Sequence, residues 1–98
     1  MFQIIAGRDP TAYTCETRSL RVNGQCTSIR LEVTYWEVLD QIAESEGFST
    51  PGFISRLHSE VLEHHGELRN FTSLLRCACL QFLMREAGLA SDAAIAAE

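Results

Sequence analysis

A mostly helical α+β domain, with a two-stranded hairpin ahead of three helices, is predicted by three features of this 98-residue chain. Asn23-Gly24 sits between two stretches whose side chains alternate in polarity. Three apolar runs of helical period follow it, within 35–43, 53–62 and 71–83. Glycines at 47, 66 and 88 stand where each run should stop. The length allows one domain and no more. At 11.0 kDa the chain is too short for a Rossmann, TIM-barrel or hydrolase catalytic domain. A chain of this size buries roughly 60–65% of its unfolded surface, so a lone monomer is expected to be marginally stable.

The hairpin is Arg18–Val22, the Asn23-Gly24 turn, and Gln25–Leu31. Asn-Gly supplies the two positive-φ residues of a type I′ turn, whose twist suits flanking strands. In the second strand Ile29 and Leu31 point one way, while Ser28, Arg30 and Glu32 point the other. That makes a sheet with one buried face and one polar face carrying an arginine.

The first helix is expected to open with a capping box. Thr34 would be the N-cap, Glu37 lies three residues on, and Val33 can staple onto Val38. Gly47 supplies its left-handed C′ residue. The second helix opens in Phe48-Ser49-Thr50-Pro51-Gly52, where either Ser49 or Thr50 can cap, and Gly66 stops it. The third runs from about Asn70 to Gly88 and is apolar nearly all round, which places it inside the domain or in a subunit interface. Residues 1–88 are therefore read as a single domain, and the alanine-rich 89–98 as a flexible tail. Whether Met1–Ile5 adds a further strand is left open.

Charge narrows the choice of partners. Thirteen acids face eight bases, a net charge of −5, and every base is arginine. Up to Val33 four arginines meet three carboxylates; from Thr34 onward four arginines meet ten. A non-specific nucleic-acid coat would be basic throughout, whereas a specific binder needs only one locally positive face. With no 18-residue apolar run and no leader-like start, a cytoplasmic protein without a membrane span is expected. Its four cysteines would stay reduced there.

Thr27-Ser-Ile-Arg-Leu-Glu32, then Trp36-Glu-Val-Leu-Asp-Gln-Ile-Ala43, Gly47-Phe-Ser-Thr50 and Phe53-Ile-Ser-Arg-Leu57 resemble the ribbon-helix-helix family of bacterial DNA-binding proteins. The core of the resemblance is about 25–66, with the extra helix at about 70–88 beyond it. Short bacterial members with a hairpin before this core and a helix after it look similar from about Asp9 to Phe82. The resemblance implies a ribbon-helix-helix dimer in which this strand, Thr27–Glu32, pairs antiparallel with the same strand of a second subunit, and the two-stranded β-ribbon so formed lies in the major groove of double-stranded DNA. Base contacts then fall to Ser28, Arg30 and Glu32, with Arg30 gripping guanine O6 and N7 together. Phosphate contacts fall to the start of the second helix, at Ser49, Thr50 and Gly52, and to Arg18 and Arg21 on the added strand. The function implied is transcriptional regulation by a homodimeric repressor. The alternative is a protein-interaction module, antitoxin-like or adaptor, that offers its acidic helical surface to a protein partner.

Other chemistries find little support. Cys77 and Cys79 lie about 200° apart around a helix and cannot clamp one metal ion. His58, His64 and His65 complete no zinc spacing. There is no nucleophile set with context, no glycine-rich phosphate loop and no carboxylate pair in a predicted cleft. No enzymatic activity, metal or cofactor is therefore expected.

Overall fold

The computed structural model describes residues 2–66 and 70–89. A short helix, α1 (Phe2–Ala6), and a 3₁₀ turn at Pro10–Tyr13 lead into β1 (Cys15–Val22) and β2 (Gln25–Glu32). Three helices follow: α2 (Val33–Ser45), α3 (Thr50–His65) and α4 (Phe71–Glu86). The open question at the N-terminus resolves as helix, not strand. Apart from Leu89, the tail expected over 89–98 falls outside the described residues.

β1 and β2 form one antiparallel hairpin in the register Arg18↔Ile29 and Leu20↔Thr27. Asn23 at φ 50 and Gly24 at φ 86 close it, both in the left-handed region that the type I′ turn requires. The inner face carries Val22, Ile29 and Leu31, all buried against Trp36, Leu39, Ile42, Ile54, Leu75 and Cys79 from the three long helices. Burying side chains of this size contributes about 1.5–3 kcal/mol each. No buried side-chain nitrogen or oxygen among the described residues lacks a partner.

The capping box at Thr34 does not form. β2 runs into α2 with no loop between, and α2 begins at Val33 after Glu32, which makes no side-chain cap. The Thr14 carbonyl accepts from the Val33 amide at 2.8 Å, and the Thr34 hydroxyl donates to the Ala12 carbonyl at 2.6 Å. Groups from the preceding turn thus replace the local cap. At α3 the ambiguity resolves to Ser49, whose hydroxyl accepts from the Gly52 amide at 3.1 Å. Asn70 precedes α4 as expected, but its side chain makes no capping bond. α4 buries Leu75 and Cys79 while leaving Leu80, Leu83 and Met84 exposed. Its apolar circumference is therefore only partly covered by its own chain.

Candidate nucleic-acid interface

Register places Cys15, Thr17, Ser19 and Arg21 of β1 beside Glu32, Arg30, Ser28 and Cys26 of β2. Alternation then puts all eight on the outer face of the hairpin, away from the helices. Arg21 and Arg30 are exposed, and neither makes an ion pair or a side-chain hydrogen bond among the described residues. Between them lie Thr17, Ser19, Cys26 and Ser28, all uncharged. Glu32 closes the far end. Its carboxylate accepts from Arg76 Nε at 3.1 Å and from Arg76 Nη2 at 3.3 Å. A backbone hydrogen bond at Glu32 itself, then Arg76, hold this carboxyl below its ordinary range. Glu32, expected to read a base, is thus fastened to α4. A chain of net charge −5 nevertheless presents one face with two open guanidiniums.

The inner face treats its arginine differently. Arg18 donates to Glu16 at 2.9 Å and to both oxygens of Asp40 at 2.9 and 3.2 Å. Its guanidinium lies 4.5 Å from the Trp36 ring centroid, and the Trp36 indole donates to the Glu16 carbonyl at 2.8 Å. The Arg18 hydrogen bonds hold Asp40 below its ordinary range, with Thr50 adding to the effect. The same pair raises Arg18. Arg18, expected at a phosphate, is instead the link between β1 and α2.

The start of α3 is similarly occupied. Thr50 Oγ1 donates to Asp40 at 2.6 Å. Pro51 has no N–H, Gly52 donates to the Ser49 hydroxyl, and Phe53 donates to the Ser49 carbonyl at 2.8 Å. Of the first four amide positions only that of Thr50 is left for an anion. The structure therefore brings Ser49, Thr50 and Gly52 together at one helix end, but their polar groups already serve each other and Asp40.

A ribbon-helix-helix domain family matches residues 15–83. This chain is a ribbon-helix-helix protein. Membership of this family generally implies a DNA-binding regulator or an antitoxin. A solved structure of an uncharacterized protein from Bordetella pertussis Tohama I is similar across 90% of this chain and 70% of its own. The two share 39% sequence identity, with a TM-score of 0.84. No curated protein matches this chain.

Within this ribbon-helix-helix domain the structure adds residues that sequence reading missed. In the sequence Asn23 signals only a turn, yet its side chain and amide tie the hairpin tip to α3. Its Nδ2 donates to His58 Nδ1 at 2.9 Å and to the Ser55 carbonyl at 3.3 Å, and its Oδ1 accepts from Ser59 at 3.2 Å. Asp40 and Arg76 carried no local signal, because their partners are 22 and 44 positions away. The cysteines behave as the helical geometry requires: Cys77 is exposed and Cys79 buried. Burial pushes the Cys79 thiol up to about 11, and it donates weakly to the Tyr35 carbonyl at 3.6 Å. Among the described residues no three of His, Cys, Asp and Glu converge as metal ligands, and no helix is long and apolar enough to cross a membrane.

Proposed function

We propose that this ribbon-helix-helix protein is a sequence-specific regulator that binds double-stranded DNA through the outer face of its hairpin. It acts as a cytoplasmic homodimer, and represses by occupying its site. The observation that carries the reading is the pair Arg21 and Arg30, exposed and unpartnered on a face whose one carboxylate, Glu32, is tied to Arg76. A guanidinium left open at the surface of an acidic protein is available to a polyanion. When Arg30 meets guanine O6 and N7, the bidentate contact discriminates by about 1–3 kcal/mol. Ser28, beside Arg30 on the same strand face, adds a hydroxyl that either donates or accepts at a neighbouring base edge. Backbone contacts come from the Thr50 amide with Ser49 and Gly52 around it, and are few. Dimerisation is supported by the exposed α4 row of Leu80, Leu83 and Met84, three and four apart on one side of the helix.

The test is selection of bound fragments from a random duplex pool at two salt concentrations, since affinity without a salt value is uninterpretable. The expected result is a two-fold-related motif whose key base pair is lost in Arg30→Ala while the melting temperature stays unchanged. No enrichment at low salt would overturn the DNA reading. A stoichiometric partner that survives nuclease treatment would then put the acidic helices to use in a protein-interaction module.

A further inference from the structure

We infer that the N-terminal arm of one chain, Phe2–Ala6, docks in the homodimer on the second copy, in the groove under that copy's hairpin tip. The inference rests on the homodimer proposed above, with the β2 strands of the two chains paired edge to edge, and deepens it. Both halves of the contact, the arm and the groove, stand open in the single chain.

The arm is apolar and bare. Phe2, Ile4 and Ile5 are 90%, 66% and 55% exposed, and no residue of α1 is buried. Single apolar side chains at a surface are ordinary, but three large ones within four residues form a patch of the kind that marks an interaction site. A helix of five residues is also too short to hold itself together in water and needs a surface to lie on. The root of the arm is fixed. Asp9 Oδ1 accepts from the Thr11 amide and the Thr11 hydroxyl, both at 3.0 Å. The 3₁₀ turn that follows is held at the start of α2 by the Thr34 hydroxyl, and Thr14 just after it by the Val33 amide. The arm therefore leaves the domain at the junction of β2 and α2.

The groove lies at the opposite end of β2. It has a volume of about 360 Å³ and runs between the hairpin tip, α3 and the start of α4. Val22, Leu62 and Phe71 form its apolar walls, with Gln25 and Thr27 as a polar rim, the pattern of a small interface. Its shape is set in the single chain. The His58 ring meets Phe71 edge-on at 5.3 Å and accepts from Asn23 at 2.9 Å. Ser55 Oγ accepts from the Asn23 amide and donates to the Arg21 carbonyl, each at 3.3 Å. A cleft held in this way receives an apolar side chain with little ordering cost of its own.

Reach separates the chain's own groove from that of the second copy. β2 has eight residues, Gln25–Glu32, and is about 24 Å long. α1 and the residues 7–10 that join it to the 3₁₀ turn span at most about 21 Å. The arm thus falls short of the groove at the far end of its own β2. Among the described residues β1 pairs with one edge of β2, and the other edge is a row of unpaired backbone groups to which a second β2 can add around a two-fold axis. Antiparallel pairing over the full strand sets Gln25 of each chain opposite Glu32 of the other. Each groove then lies beside the root of the other chain's arm. The same axis relates both arms and both grooves, so the contact is made twice and closes.

The experiment measures dimer dissociation by sedimentation equilibrium for the wild type, Phe2→Ala, Leu62→Ala and the double variant. Isotope-filtered NOEs are recorded on a mixture of labelled and unlabelled chains. Phe2 and Leu62 are both exposed in the single chain, so either truncation leaves the fold intact. The expected result is NOEs between the Phe2 ring of one chain and the Leu62 methyls of the other. The dimer Kd should rise about 10- to 150-fold in Phe2→Ala. Because the two residues form one contact, the double variant should dissociate much like Phe2→Ala alone. NOEs confined to one chain, or a Phe2→Ala protein that dimerises like the wild type, would overturn the arm contact and leave the homodimer standing. A wild type that stays monomeric at every concentration would overturn both readings.

Discussion

On the inner side of the hairpin Arg18 has Glu16, Asp40 and the Trp36 ring as partners, whereas on the outer side Arg21 and Arg30 have none among the described residues. The two sides are separated by one residue of strand alternation. An arginine that finds carboxylates and an aromatic face within its own chain stiffens the fold and is lost to any ligand. One that the pleat turns away keeps its five donors open. Charge alone therefore does not locate a binding face in this acidic protein; the partner of each guanidinium does.

The strongest way to break the inner side is Trp36→Ala. It removes the largest buried side chain, the surface under Arg18 and the donor to the Glu16 carbonyl. The expected cost is about 3–5 kcal/mol in chemical denaturation, with DNA binding lost through unfolding. A loss of binding with stability unchanged would mean that Trp36 belongs to the interface. Asp40→Ala is next. It leaves half-buried Arg18 without its main partner and the Thr50 hydroxyl without its acceptor, for about 1–2 kcal/mol. In a domain of this size that is a fall in melting temperature of roughly 4–16 °C. A motif altered by Asp40→Ala at unchanged stability would erase the distinction between the two sides.

Acid should act on the same contacts. The carboxyls of Asp40 and Glu32 are both held below their ordinary range in the folded chain. Their contribution is therefore present above the ordinary carboxylate range and is lost as pH falls through and below about 4. Melting temperature should drop over that interval in the wild type, and less steeply in Asp40→Asn. Cys79 works from the other end: with its thiol pushed up to about 11, stability falls as pH rises from about 9 towards that value. Cys79→Ala should flatten the alkaline limb even though it lowers stability overall. The smallest effect is expected of Gly52→Ala. A Cβ there would meet the Ser49 hydroxyl at 3.0 Å, weakening the cap, while alanine raises helix propensity by up to about 1 kcal/mol. The two nearly cancel, so a melting temperature within a few degrees of wild type is expected.

Features set by near neighbours were the ones legible in the sequence. Asn23-Gly24, the alternation through Ile29 and Leu31, and the glycine stops at 47 and 66 act over one turn or one strand, and each stands where expected. The capping box expected at Thr34 does not form, because a strand running straight into a helix lets Thr14 and Ala12, some twenty residues back, provide the contacts a local cap would make. The candidate site divides along the same line. Alternation placed Ser28 and Arg30 on the exposed face, but nothing local assigned Asp40 to Arg18 or Arg76 to Glu32. Long-range pairing decides which charged side chains remain open, and a single sequence carries no periodicity that reports it.

The most direct measurement is a paired one on Arg18→Ala and Arg30→Ala, with thermal melting and affinity for the selected duplex read on the same preparations. Arg18→Ala is expected to lower the melting temperature and keep the preferred sequence. Arg30→Ala is expected to keep the melting temperature and lose discrimination at one base pair. The contrary pattern, an Arg30→Ala protein that selects the same sequence with the same affinity, or an Arg18→Ala protein that loses the motif while melting like wild type, would contradict the division between the two faces of the hairpin.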